Sequence, residues 1–87
     1  MKPLNYAILL YFTEVERACA DEVIDALKPE YGHFRALRKP AVIEALMTAE
    51  KNGLLEEAGY YLDDKGELRV YYSANAVSRA MIRKFIG

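Results

Sequence analysis

Residues 38–57, RKPAVIEALMTAEKNGLLEE, decide the fold of this chain. Pro40 suits the first position of a helix, because its ring fixes φ and its nitrogen has no hydrogen to donate. Gly53 suits the left-handed position at which a helix ends. These two residues predict a helix over residues 40–52, and the leucines that follow Gly53 start an extended segment.

The apolar residues of this helix recur three and four positions apart, so they form a stripe along one face. The stripe predicts that this face packs against the rest of the protein. Its members are Val42, Ile43, Leu46, Met47 and Ala49. Met47 is therefore expected in the core, as are Met81 and Phe85 near the end of the chain.

Two helices are predicted before this one. The first covers residues 3–17 and is apolar around most of its circumference. The second starts at Asp21, where a negative charge favours a helix N-terminus, and it is expected to end at Pro29. A connection over residues 28–39 then leads to the third helix.

A β-hairpin is predicted after the third helix. Residues 55–62 and 68–73 are rich in Tyr, Leu and Val, and the turn sequence Asp-Asp-Lys-Gly at 63–66 separates them. With Leu62 opposite Glu67, the inward side chains are Tyr61, Leu68, Val70 and Tyr72, and the outward ones are Tyr60, Arg69 and Tyr71. The register stays open, because a slip of one residue inverts this assignment.

A last helix is predicted after the hairpin, with Ser73 or Asn75 as its cap and with Val77, Met81 and Phe85 four apart. The order of elements indicates an α+β fold that is mostly helical, with three helices, a two-stranded hairpin and a C-terminal helix. At 87 residues the chain has room for one domain, residues 1–87, with a single core.

Composition narrows the class of protein. The hydrophobic fraction of 53% and the charged fraction of 29% are typical of a soluble globular protein. The longest apolar run, residues 6–12, is far shorter than the roughly 20 residues that span a bilayer. We expect a cytoplasmic protein, because no secretory signal is recognisable and the lone Cys19 cannot form an internal disulfide.

No group of residues suggests catalysis. His33 is the only histidine and has no cysteine near it, whereas zinc sites need three or four clustered ligands. The sequence has no nucleophile–base pair and no glycine-rich phosphate loop. We therefore expect a protein that is not an enzyme and that uses no cofactor or metal.

Two segments carry a resemblance to a known family, the run from Ala45-Leu46 to Leu55 and the later Val70-Tyr71-Tyr72-Ser73. In these segments the chain resembles winged helix-turn-helix transcriptional regulators, most closely those of the PadR type, and the similarity covers residues 6–86. The resemblance implies one winged-helix domain over residues 1–87. In such a domain helix 40–52 enters the major groove and hairpin 55–73 is the wing.

The resemblance implies double-stranded DNA as the partner. Basic residues before the helix and on the wing would contact phosphates or guanine edges, and polar residues on the exposed helix face would reach bases. The candidate DNA-binding residues are Arg35, Arg38, Lys39, Ala41, Glu44, Thr48, Lys65 and Arg69. PadR-type proteins typically start this helix with Gly-Thr-x-Tyr-Pro, and this chain has Pro-Ala-Val-Ile-Glu at residues 40–44.

The same residues allow other interpretations. A net charge of −1 lacks the basic excess usual in nucleic-acid-binding domains, and tyrosines flanking Arg69 suit a protein partner as well. The chain is therefore either a DNA-binding transcriptional regulator or a non-catalytic protein-interaction module of the same fold that uses the hairpin tyrosines, Tyr60 and Tyr71. A small-molecule sensor with a cavity beside the first helix is a third alternative.

The resemblance also implies a homodimer formed by the first and last helices, since a one-domain regulator of palindromic DNA needs a two-fold partner. The expected seam is Leu4, Ile8, Met81, Ile82, Phe85 and Ile86, with Arg79, Arg83 and Lys84 flanking it or facing DNA.

The distribution of surface charge distinguishes a DNA-binding regulator from a protein-interaction module. A continuous positive band favours DNA, and acidic interruption beside exposed tyrosines favours a protein partner.

Overall fold

The helix that begins after Arg38 is α3, Lys39–Lys51, in a computed structural model that describes residues 1–87. The helices α1 (Leu4–Tyr11) and α2 (Ala20–Tyr31) precede it, and β1 (Glu56–Leu62), β2 (Leu68–Ser73) and α4 (Ala76–Phe85) follow. The protein is thus a small α+β fold with four helices and a two-stranded antiparallel hairpin, as the sequence predicts. None of the helices has the length and hydropathy needed to cross a membrane.

Only part of the apolar stripe of α3 is buried. Val42, Leu46 and Ala49 lie in the core, because α3 packs mainly on α2 and that contact covers one strip of its surface. Ile43 and Met47 lie beside this strip and are 40% and 47% exposed, so their predicted burial is wrong. The helix ends as predicted, since Gly53 adopts φ +79°.

The first helix is shorter than predicted, because α1 ends at Tyr11 instead of continuing to residue 17. The Thr13 hydroxyl donates to the Leu10 carbonyl at 2.7 Å, and the N–H of Thr13 bonds the same carbonyl at 2.9 Å. These bonds close a tight turn instead of extending the helix. The chain then passes without helix through Val15 toward Ala18.

The second helix is longer than predicted, because α2 continues through Pro29 to Tyr31. Pro29 removes one donor, but the next turn still forms, since the Gly32 N–H donates to the Lys28 carbonyl at 2.9 Å. Tyr31 anchors this last turn of α2 to the core and to the N-terminal segment. Its ring is buried, and its hydroxyl donates to the Lys2 carbonyl at 2.6 Å.

The hairpin forms as predicted but in a different register. Leu62 lies opposite Leu68 instead of Glu67. The reason is the turn, in which Oδ1 of Asp63 accepts the N–H groups of Lys65 and Glu67, both at 2.9 Å, so that Glu67 belongs to the loop. Gly66 supplies the positive φ, +78°, that this turn requires.

The register decides which tyrosine lies on which face. Tyr61 lies opposite Arg69, and Tyr60 lies opposite Val70. Because cross-strand partners share a face, Tyr60 and Tyr61 exchange the faces predicted for them. Leu68, Val70 and Tyr72 keep the face that was predicted to be inward.

A bulge between Glu57 and Tyr60, where Gly59 has φ +112°, interrupts β1.

The hairpin is attached to the helices through Ala18. This residue exchanges two backbone hydrogen bonds with Tyr72, at 3.0 and 2.9 Å, on the side of β2 away from β1. The bridge joins the segment after α1 to the sheet. Ala18 and Tyr72 belong to the single hydrophobic core, whose largest fully buried side chains are Phe12, Leu46, Leu55, Val23 and Val42.

The last helix begins as predicted, since Oδ1 of Asn75 accepts the Ser78 N–H at 2.8 Å. Met81 and Phe85 are exposed, so their predicted place in the core is wrong. Of the residues expected to form a dimer seam, Leu4, Ile8 and Ile82 are buried inside the chain and are not available to a partner.

Two arginines of α4 hold the end of α1. The Arg79 guanidinium donates to the carbonyls of Ala74 at 2.7 Å, Val15 at 2.7 Å and Thr13 at 3.3 Å. Arg83 donates to the same Thr13 carbonyl at 2.8 Å. The bonds to Thr13 and Val15 satisfy carbonyls that the early end of α1 leaves without helical partners, so both arginines have a structural role.

We predict that Arg79→Ala lowers the free energy of unfolding by about 2 kcal/mol, because it removes charged donors from partly buried carbonyls. Urea denaturation followed by circular dichroism measures the change. Arg35→Ala, which removes an exposed arginine without a hydrogen bond, should change stability by less than about 0.5 kcal/mol. Equal losses in the two variants would contradict the structural role of Arg79.

Candidate functional site at helix α3 and the hairpin

An apolar groove of about 300 Å³ runs between α3 and β2. The first turn of α2 closes its floor through Cys19 and Ala20. Most of its lining is hydrophobic, and the residues that form its two walls are Ile43, Leu46, Met47, Leu68, Val70 and Tyr72. The groove is therefore a concave apolar surface next to the helix that the sequence predicts as the recognition helix.

The apolar surface continues beyond the groove across the hairpin. Tyr60 is 75% exposed, Leu62 is 67% exposed and Leu68 is 57% exposed, and all three share a face with Val70. We call this surface the α3–hairpin face, formed by Ile43, Met47, Tyr60, Leu62, Leu68 and Val70. Contiguous exposed apolar surfaces are typical of protein-interaction sites and ligand-binding grooves.

One end of the groove carries a charge-balanced cluster. Asp21 forms ion pairs with Lys39 at 3.5 Å and with Arg69, and Asp63 forms a second ion pair with Arg69 at 3.0 Å. Nε of Arg69 also donates to Oδ2 of Asp63 at 3.1 Å. Two acids therefore neutralise the two bases, and neither base is free to contact a phosphate without giving up a carboxylate.

The candidate DNA-binding residues fall into three groups. Lys39 and Arg69 meet at the end of the groove through Asp21. A second group lines a separate depression between α1 and α3, and its members are Ala41, Glu44 and Thr48. The members of the third group are exposed and form no ion pair within the chain, and they are Arg35, Arg38 and Lys65.

The opposite face of the hairpin holds an aromatic and cationic stack. The Arg17 guanidinium lies 4.4 Å from the centre of the Tyr71 ring, and the rings of Tyr71 and Tyr61 stack with centroids 5.8 Å apart. Arg17 also donates to the Ala58 carbonyl at 3.0 Å. This stack attaches the segment before α2 to the hairpin, so Tyr71 lies on the face away from the groove.

Three tyrosines have raised pKa values. The interaction with the side chain of Tyr61 is the largest cause that raises the pKa of Tyr71 to about 12. Burial is the first cause that raises the pKa of Tyr72, and the carboxylates of Glu57 and Glu50 add to it. Burial, followed by the charge of Glu22, raises the pKa of Tyr11. The raised pKa values keep Tyr71 and Tyr72, which lie on opposite faces of the hairpin, protonated well above neutral pH.

Sequence reasoning missed several contributors to this surface. Asp21 is predicted only as a helix N-terminal charge, and its pairing with Arg69 joins residues far apart in the chain. Ile43 and Met47 are predicted as core, since periodicity alone does not separate a covered strip from an exposed one beside it. Arg17 is not singled out, and no local signal identifies its contact with Tyr71.

No protein-family model matches the chain, and no curated protein is significantly similar to it in sequence. The surface chemistry of α3 and the hairpin is therefore the basis on which function is proposed.

We predict that Tyr61→Phe lowers the pKa of Tyr71 from about 12 toward the ordinary value of 10.0, because the variant loses the hydroxyl that stabilises the Tyr71 phenol. NMR titration of ¹³C-labelled tyrosine side chains measures this pKa. Tyr6→Phe, which removes an exposed tyrosine of α1, should leave it unchanged. If Tyr71 titrates identically in the wild type and in Tyr61→Phe, the interaction is absent.

The raised pKa of Tyr71 makes the stability of the folded protein depend on pH. Between pH 10 and 12 the folded protein keeps the Tyr71 proton while the unfolded chain loses it. The contribution of Tyr71 is therefore full below pH 10 and is lost as the pH rises through about 12.

Proposed function

We propose that this chain is a non-catalytic winged-helix module that binds another protein through its α3–hairpin face. The observation that carries the proposal is the composition of this face. Its centre is apolar and exposed, and the cations beside it, Lys39 and Arg69, are already paired with Asp21 and Asp63. Cores of protein interfaces are likewise apolar and depleted in charge.

The winged-helix arrangement is part of the proposal. Three features support it: the order of elements, the position of α3 directly before the hairpin, and the bridge from Ala18 to β2. In such a domain α3 corresponds to the recognition helix and the hairpin to the wing. Winged helices that bind proteins use the same scaffold with a different surface, because a fold alone does not determine its ligand.

The surface of α3 favours a protein over DNA. A helix that reads DNA presents polar and basic side chains to base edges and phosphates. The exposed side of α3 instead presents Ile43 and Met47, together with Glu44, which repels phosphate unless it is aimed at a base. Asp21 and Asp63 interrupt any positive band between Lys39 and Arg69.

Double-stranded DNA is the second candidate partner. The observation in its favour is that Arg35, Arg38 and Lys65 are exposed and have no ion-pair partner within the chain. Arg38 occupies the N-cap position of α3 without a side-chain capping hydrogen bond, so a phosphate there would also meet unpaired helix N–H groups. Three free cations would support weak, salt-dependent backbone binding more readily than recognition of a DNA sequence.

We predict that selection from a random peptide library yields peptides whose binding requires Met47 and Leu68. The double variant Met47→Asp with Leu68→Asp should lose binding by at least about tenfold, because charges on an apolar face must be desolvated when a partner covers it. Both side chains are about half exposed, so the variant should fold, and circular dichroism checks this. Fluorescence anisotropy of labelled peptides measures the affinities.

Val77→Asp is the matched control for this selection, since Val77 is a 70% exposed apolar residue on α4. It should leave peptide binding unchanged. A library that yields no binder sensitive to Met47 and Leu68 would overturn the proposal of a protein-binding face.

We predict that the protein does not bind DNA measurably at about 100 μM and low salt, which is at or above the usual range of non-specific dissociation constants. Asp21→Asn should leave this result unchanged, although it frees Lys39 and removes one of the two carboxylate partners of Arg69. Asp25→Asn, an equal charge change at an exposed position of α2 without an ion pair, is its control. Salt-dependent binding by the wild type that only Asp21→Asn strengthens would favour the DNA candidate.

A further inference from the structure

The two ends of the groove differ in charge. The end near Lys39 is neutral, because its ion pairs are complete. The other end carries Glu50 of α3 and Glu57 of β1, and Glu57 lies directly opposite Tyr72 in the hairpin. Glu50 follows Met47 by three positions and Ile43 by seven on α3, so it continues the face of the helix that lines the groove. Glu57 shares a face of the hairpin with its cross-strand partner Tyr72, so both carboxylates lie toward the Tyr72 end of the groove. Their charges add to burial in raising the pKa of Tyr72.

These two carboxylates have no cation of their own. Both glutamates are exposed, and neither forms an ion pair within the chain. An apolar groove with unpaired negative charge at one end is complementary to an apolar surface with positive charge at the matching position. The charge pattern therefore distinguishes between partners that the apolar walls alone would bind equally.

The edge of β2 is not free for an added strand. Tyr72 directs its N–H and C=O away from β1, and Ala18 occupies them. Val70 points its backbone groups to the same side, since strand residues alternate. Beside it lies the first turn of α2, which the Asp21–Arg69 ion pair ties to β2. A partner therefore contacts this groove through side chains, as a helix does when it lies in a groove.

We propose that the groove between α3 and β2 binds an amphipathic helix of a partner protein that carries apolar residues on one face and a lysine or arginine at the end next to Glu50 and Glu57. This inference rests on the proposed function and names the chemistry of its partner. The apolar side chains of the helix, spaced three and four apart, contact Ile43, Met47 and Val70. Its cation supplies the partner that Glu50 and Glu57 lack.

Three designed peptides test the charge preference. Each has about 15 residues, with leucines in the same amphipathic pattern, and the polar positions are all Lys, all Glu or all Gln. Fluorescence anisotropy measures their affinities at about 0.02 M and 0.3 M salt, and methyl NMR shifts of Met47, Leu68 and Val70 locate the binding. We expect the Lys peptide to bind most tightly and its advantage to shrink with salt.

Charge variants test the role of the two glutamates. Glu50→Gln with Glu57→Gln should weaken the Lys peptide by about fivefold, in the range of two exposed ion pairs, and should leave the Gln peptide unchanged. Glu16→Gln with Glu30→Gln changes the net charge equally at two exposed positions outside the groove and is the matched control. This control pair should retain the affinity of the wild type for the Lys peptide.

The outcomes separate the two proposals. If the Gln and Glu peptides shift the groove methyl groups and bind as tightly as the Lys peptide, the preference for a basic helix is wrong and the protein-binding face stands. Equal weakening by the two pairs of variants also overturns the basic-helix proposal, because the effect is then one of net charge. If no peptide shifts the groove methyl groups, the groove does not bind helices and the protein-binding face loses its support.

Discussion

The hairpin and the groove depend on the hydrogen bonds that the Asp63 carboxylate accepts. One of its oxygens accepts hydrogen bonds from two backbone N–H groups of the turn, and the other accepts a hydrogen bond from Nε of Arg69. The first contact fixes the register of the strands and therefore the face on which each tyrosine lies. The second orients Arg69 toward Asp21, which also holds Lys39. One side chain thus determines both the lining of the groove and the charge balance at its end.

Cations with structural roles leave the surface of α3 and the hairpin with few free positive charges. Arginines and a lysine in several elements are engaged within the chain, and they are Arg17, Lys39, Arg69, Arg79 and Arg83. A guanidinium that satisfies carbonyls or a carboxylate loses those bonds if it turns to a phosphate. The surface of α3 and the hairpin is consequently apolar with residual negative charge, which suits a protein partner better than a nucleic acid.

Elements with local signals were predictable, and those with distant partners were not. Pro40, Gly53 and Asn75 define ends of α3 and α4 because each acts on the backbone within a few residues. The segment after α1 is stabilised, beyond the local turn at Thr13, by carbonyl contacts from Arg79 and Arg83, which are far away in sequence. The last turn of α2 likewise persists beyond Pro29 through the tertiary contacts of a buried tyrosine.

The sequence by itself determined the order of helices and strands, the hairpin and the position of α3 before it, because these depend on periodicity and turn residues close together in the chain. Only the tertiary structure decided that Ile43 and Met47 are exposed and that Asp21 pairs with Arg69. Burial and ion pairing depend on which distant elements meet. The stretch from Arg38 to Glu57 therefore specifies a helix followed by a strand, whereas its neighbours α2 and β2 determine what surface that helix presents.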